Sequence, residues 1–157
     1  MNDATPVKKG RKFDQVLDVN LKAVFLLCQA FARAALARNA GGRIVNIASL
    51  LSFQGGIRVP AYTASKHGVA GLTKVLANEW AARGINVNAV APGYIATNNT
   101  QALREDPARS AEILGRIPAG RWGDPADIAG AVTFLCMPAS AYVTGAVLNV
   151  DGGWLAR

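Results

Sequence analysis

The part of the chain that most restricts its fold runs from Arg43 to Val90. Two short apolar runs, Arg43 to Ala48 and Ile85 to Val90, flank a helical pattern from about Ala61 to Arg83. A strand, a helix and a second strand in that order predict a parallel pair joined by a right-handed crossover. The helix has Val69, Leu72, Val75, Leu76 and Trp80 as its apolar set, is preceded by a Gly55-Gly56 and Pro60 loop, and is closed by Gly84. The second run alternates apolar and amide residues, Ile85-Asn86-Val87-Asn88-Ala89-Val90. Ala146 to Val150 reads as a third strand, which makes the chain α/β.

Upstream, Phe13 to about Asn39 repeats apolar residues at helical spacing on most sides (Val16, Leu17, Leu21, Val24, Leu27, Cys28, Phe31, Leu36), as a helix covered by neighbours would. Gly41-Gly42 ends it. Residues 1–12 are polar, with Pro6 and Gly10, and are expected to be a mobile lead-in to one domain over 13–157. Downstream, Asp106-Pro107 and Asp124-Pro125 each look like a helix start, and Asp127 adds a capping partner to the second.

A chain of 157 residues that is 51% hydrophobic and 17% charged is a globular protein rather than a disordered one. The longest unbroken apolar run of the first helix, Ala23 to Cys28, is too short to predict a membrane span. The polar, basic start has no signal-peptide pattern, so export is not expected. The net charge of +7 comes from scattered Lys and Arg, with no basic-aromatic stretch of the kind nucleic-acid binders use. That argues against nucleic acid and fits an anionic small molecule. Cys28 and Cys136 each lie in an apolar helical pattern and are expected to be buried thiols with no disulfide. His67, the only histidine, has no partner cluster, and no spacing of ligating residues suits a metal.

The candidate chemistry lies just beyond the first strand. Ser49 follows the strand's carboxyl end, the edge at which open α/β sheets bind ligands. Tyr62 and Lys66 are four residues apart, which on a helix places them on one face. A tyrosine beside a fixed ammonium ionises more readily than one in water and is a candidate general acid/base. Taken alone, the spacing is better explained by a surface tyrosine and a solvated lysine on a helix. Asn20, inside the first helix, must satisfy its amide if buried, and a core amide bonded to a nearby carbonyl is the simplest account.

Together, Asn46-Ile47-Ala48-Ser49, Tyr62-Thr-Ala-Ser-Lys66, Asn88-Ala-Val-Ala-Pro-Gly93 and Val150-Asp-Gly-Gly153 resemble the short-chain dehydrogenase/reductase family from about Phe13 onward. The resemblance implies the C-terminal part of a Rossmann-like, doubly wound parallel sheet, about three strands with flanking helices. The N-terminal strands and their glycine-rich cofactor turn would be absent from this chain. It implies Ser49, Tyr62 and Lys66 as catalytic residues, with Asn20 holding a water that relays protons to the lysine. Tyr62, Lys66, Pro92, Gly93, Ile95 and Thr97 would contact NAD, with NADP not excluded because the selecting segment is missing. The stretches Ser49 to Pro60, Pro92 to Gln101 and Arg109 to Gly123 resemble a narrower group that acts on six-carbon keto-sugar acids. Arg58, Asn98 and Arg104 are then candidates for the substrate carboxylate, ahead of Asn99 and Arg121. A cytoplasmic homo-oligomer, a tetramer in the complete enzyme, is implied as well. Reductases of 3-oxoacyl carrier-protein substrates share the generic motifs and remain an alternative, as does a catalytically silent fragment that associates with other subunits.

Overall fold

The computed structural model describes residues 10–156. Helix α1 (Gly10–Leu17) passes through a π-helical turn (Asp18–Lys22) into α2 (Ala23–Ala37), and strand β1 (Gly42–Ile47) follows. Helix α3 (Pro60–Trp80) leads to β2 (Ile85–Pro92), then to α4 (Gln101–Glu105), α5 (Pro107–Arg116), α6 (Pro125–Cys136) and β3 (Val147–Val150). Residues 1–9 of the expected lead-in lie outside the described residues. The helical stretch already includes Gly10, ahead of the expected start at Phe13.

The three strands form one sheet in the order β1-β2-β3, parallel throughout, with Gly42 opposite Ile85 and Ala89 opposite Val147. The alternation in β2 explains the layers. Ile85 and Val87 face Cys28, Ala32 and Ala35 of α2 and Leu76 and Ala77 of α3. Each fully buried aliphatic of this kind contributes about 1.5–3 kcal/mol. The amides point the other way: Asn86 Nδ2 donates to the Ala141 and Val143 carbonyls, and Asn88 bonds the Val143 carbonyl and the Ala146 amide. Arg43 reaches the Asn86 Oδ1 and the Cys136 carbonyl at the end of α6, so α6 and the loop before β3 close that face. This is the expected doubly wound arrangement, with β1 unpaired on its outer side among the described residues.

Two expectations need correction. Helix Lys12–Ala37 is long and apolar enough, by length and composition, to cross a membrane (mean hydropathy 1.4 over its most apolar 18 residues), although its unbroken apolar run is short. Its Cys28, Ala32 and Ala35 lie in the core, while Val19, Leu26 and Leu27 are exposed. The two cysteines are unpaired, but only Cys28 is buried; Cys136 ends α6 on the surface, because the helix turns that position outward. Burial pushes the Cys28 thiol up in pKa. The thiol donates to Asn46 Oδ1, whose amide in turn donates to Thr73 Oγ1.

Candidate active site

Ser49 leaves β1 in extended backbone (φ −164°) and caps a 3-10 turn, Leu50–Ser52. Its Oγ accepts the Leu51 N–H at 3.2 Å, leaving its O–H without an acceptor among the described residues. The turn is closed reciprocally, since Ser52 Oγ accepts the Ser49 N–H at 3.3 Å. Ser52 Oγ also donates to the Lys66 carbonyl at 2.7 Å, which ties the turn to α3.

Helix α3 starts with Pro60 at its first position, where the missing N–H costs nothing. Tyr62 and Lys66 then fall one turn apart, with the ammonium 5.5 Å from the centre of the tyrosine ring. Lys66 is 7% exposed. Burial pushes its pKa down, and Nζ donates to the Ile47 carbonyl at 2.7 Å. Two of its three N–H groups have no partner among the described residues. Asn20 lies in the π-helical turn, half-buried rather than in the core, and donates from Nδ2 to the nearby Val16 carbonyl at 3.1 Å. A groove of about 410 Å³ along the outer side of β1 is lined by Asn20, Cys28, Asn46, Ile47 and Lys66 among others.

Beyond β2, Gly93 donates to the Val150 carbonyl at 2.9 Å. A Cβ there would sit 2.6 Å from Asp151 Cα, so only glycine fits. Asp151 is itself held, accepting the Gly153 and Leu155 N–H groups. Ile95 bridges Gly123, with Ala96 N donating to Gly123 O and Gly123 N to Tyr94 O. Thr100 Oγ1 donates to the Ile95 carbonyl at 2.6 Å and accepts the Thr97 N–H. The Ile95 N–H is left without a partner among the described residues. A cavity of about 210 Å³ under this segment is lined by Tyr94, Ile117, Arg121, Asp127 and Asp151 and includes none of Ser49, Tyr62 or Lys66.

The substrate candidates are spread. Arg58 is exposed on the loop before α3 in the left-handed region (φ 62°). Asn98 is exposed in the Asn98–Thr100 turn, and Arg104 donates to the Thr97 carbonyl at 3.2 Å. Arg121 is committed to Asp127 through two hydrogen bonds of 2.7 and 2.9 Å. Sequence reasoning missed Ser52, which closes a capping box with Ser49 without the Glu or Gln that usually signals one. It also missed Trp154, which is buried against Tyr94, bonded through Nε1 to Gln54 at 3.4 Å and covered by the Arg116 guanidinium at 4.0 Å. No local signal marks Trp154.

The fold is a Rossmann-like parallel α/β arrangement, with Tyr62 and Lys66 one turn apart near the start of α3 and Ser49 just beyond the carboxyl end of β1. Residues 5–155 match the family model described as enoyl-(acyl carrier protein) reductase, and the chain belongs to the short-chain dehydrogenase/reductase family. It is 62% identical over 147 residues to the 2-dehydro-3-deoxy-D-gluconate 5-dehydrogenase of Escherichia coli (strain K12), covering 94% of this chain and 58% of that protein. To the 3-oxoacyl-(acyl-carrier-protein) reductase of Vibrio harveyi it is 42% identical, covering 92% and 58%. A crystal structure from Agrobacterium tumefaciens, described as a 2-deoxy-D-gluconate 3-dehydrogenase with bound NADP, is 67% identical with a TM-score of 0.95. That match covers 100% of this chain and 64% of the other. The chain thus spans less than two thirds of the length of these relatives.

Proposed function

We propose that this chain forms the catalytic half of an NAD(P)-dependent oxidoreductase that interconverts a secondary alcohol and a ketone, most favourably on a keto-deoxy sugar acid. The observation that carries the reading is the Lys66 ammonium, buried beside the Tyr62 ring with two N–H groups to spare. Those donors suit the hydroxyls of a nicotinamide ribose. Pro92, Gly93, Ile95 and Thr97 lie on the segment suited to the nicotinamide carboxamide, with the Ile95 N–H available. The fit is partial, because among the described residues no glycine-rich turn joins a strand directly to a helix N-terminus to receive a pyrophosphate.

When bound, the nicotinamide supplies or accepts the hydride at the substrate carbon. In the reducing direction Tyr62 Oη gives its proton to the carbonyl oxygen, and the Lys66 ammonium attracts the charge left on the phenol oxygen. Ser49 Oγ–H donates to the same substrate oxygen as charge gathers there. Asn20, across the groove from Lys66, holds the water through which the phenol is reprotonated. Arg58, Asn98 and Arg104 are the groups placed for a carboxylate, with Arg104 braced on the Thr97 carbonyl.

The enzyme works in the cytoplasm as a homo-oligomer, a tetramer by family resemblance. Exposed Met137, Tyr142 and Leu148, away from the open edge of β1, support that assembly. The higher identity to sugar-acid dehydrogenases favours them over the acyl-carrier reductases. A silent associating fragment is the second reading, favoured by the open edge of β1.

The test uses the 157-residue chain alone and the chain joined to the N-terminal segment of the Escherichia coli relative. Each is given NADH or NADPH with keto-sugar acids and, separately, acetoacetyl thioesters, and nicotinamide absorbance is followed. Turnover of the sugar acids in the joined form is expected. A preference for thioesters would move the assignment, and inactivity of both forms on all substrates would favour the fragment.

A further inference from the structure

We infer that Ser52 is a positioning residue that fixes the Ser49 hydroxyl relative to the Tyr62 and Lys66 face of α3; the inference rests on the function proposed above. Ser52 is 6% exposed, and its one hydroxyl serves both segments, accepting the Ser49 N–H at 3.3 Å and donating to the Lys66 carbonyl at 2.7 Å. Its own amide donates to the Ser49 carbonyl at 2.9 Å, so Ser49 is held on both of its backbone groups by one residue.

The covalent path between the two segments offers little restraint. It runs through the Phe53–Val59 loop, where Phe53 is 48%, Ile57 90% and Val59 38% exposed. Asn46 Nδ2 ties β1 to Thr73 Oγ1 farther along α3, and beside Tyr62 a further link runs from Lys66 Nζ to the Ile47 carbonyl. That link engages the ammonium itself, the group the proposed reaction needs for a ribose and for the charge on Tyr62. Ser52 binds the lysine's backbone instead and leaves its side chain free to work. It therefore holds the distance between the serine and the tyrosine in every state of the ammonium.

Ser52→Ala deletes the hydroxyl at nearly constant shape, and Ser52→Thr keeps it. In whichever form turns over, chain or joined chain, kcat of Ser52→Ala is expected to fall about tenfold or more, since small misplacements at a reacting centre are costly. KM for the nicotinamide cofactor should stay near the unsubstituted value, and Ser52→Thr should recover most of kcat. An unchanged kcat overturns the inference, as does an equal loss of kcat and of cofactor binding. A readout free of activity is amide hydrogen exchange in the 157-residue chain. Ser52→Ala should speed exchange at Ser49 and leave Val69 and Thr73 in the middle of α3 unmoved. A uniform acceleration along α3, or none at Ser49, overturns the positioning role even if no substrate is ever turned over. Inactivity of the unsubstituted protein with local exchange at Ser49 would instead count against the proposed function alone.

Discussion

Replacing Tyr62 with phenylalanine removes one oxygen and leaves the ring that lies 5.5 Å from the Lys66 ammonium. The expected outcome is a loss of turnover of about 10²–10⁴-fold with nicotinamide binding nearly unchanged, read by steady-state rates and fluorescence titration. Retention of a large fraction of the rate would remove Tyr62 from the proton path. Lys66 behaves differently, because its side chain is buried and its truncation opens space beside Ile47 as well as removing charge. Lys66→Met should therefore weaken cofactor binding and turnover together. Tyr62 and Lys66 were legible in the sequence because their relation is local, one helical turn. Ser52 and Trp154 were not, since their hydrogen-bond partners Lys66 and Gln54 lie 14 and 100 residues away. Asn20 was half legible: its apolar surroundings called for a partner, but nothing in them announced a π-helical turn.

Among the elements, the segment after β2 depends on Gly93 lying against Asp151. Gly93→Ala would press a methyl into Asp151 Cα, and a loss of about 1–3 kcal/mol is expected in chemical denaturation, as for other overpacked sites. The start of α6 offers a pH test. The Arg121 guanidinium beside Asp127, followed by the Asp124 N–H, holds that carboxyl at about 2, against an ordinary 3.8. A depressed carboxylate contributes stability above its unfolded value, and that contribution fades as pH falls from 3.8 towards 2. The melting temperatures of the parent chain and of Arg121→Ala should therefore differ at neutral pH and converge through that window. A constant gap would mean the pair acts through packing alone. The helix starts at Asp106 and Asp124 could be read in advance because a cap is a short-range pattern, and both side chains accept the expected amides. The amides of β2 were seen as an alternation, but their service to the Ala141–Ala146 loop depends on a chain segment more than fifty residues on.

For the molecule as a whole, the parallel order of the three strands followed from the strand-helix-strand pattern, because a crossover helix leaves few other solutions. What no local pattern conveys is how weakly the outer side of β1 is covered, with Ile47 and Leu27 exposed beside it. The 157-residue chain by itself is expected to bind NAD(H) very weakly, since its described residues offer donors for the nicotinamide end and none of the phosphate-cradling kind. Micromolar affinity in a fluorescence titration would contradict this. The exposed Phe53–Val59 loop, finally, marks a place where the polypeptide tolerates being severed. One piece would keep β1 and Ser49, the other α3 and β2 with Tyr62 and Lys66, and strand pairing together with the Ser52 hydroxyl would draw them back together. Expressed as two polypeptides, the halves would behave as a complementation pair, in which the serine meets the tyrosine only after reassembly.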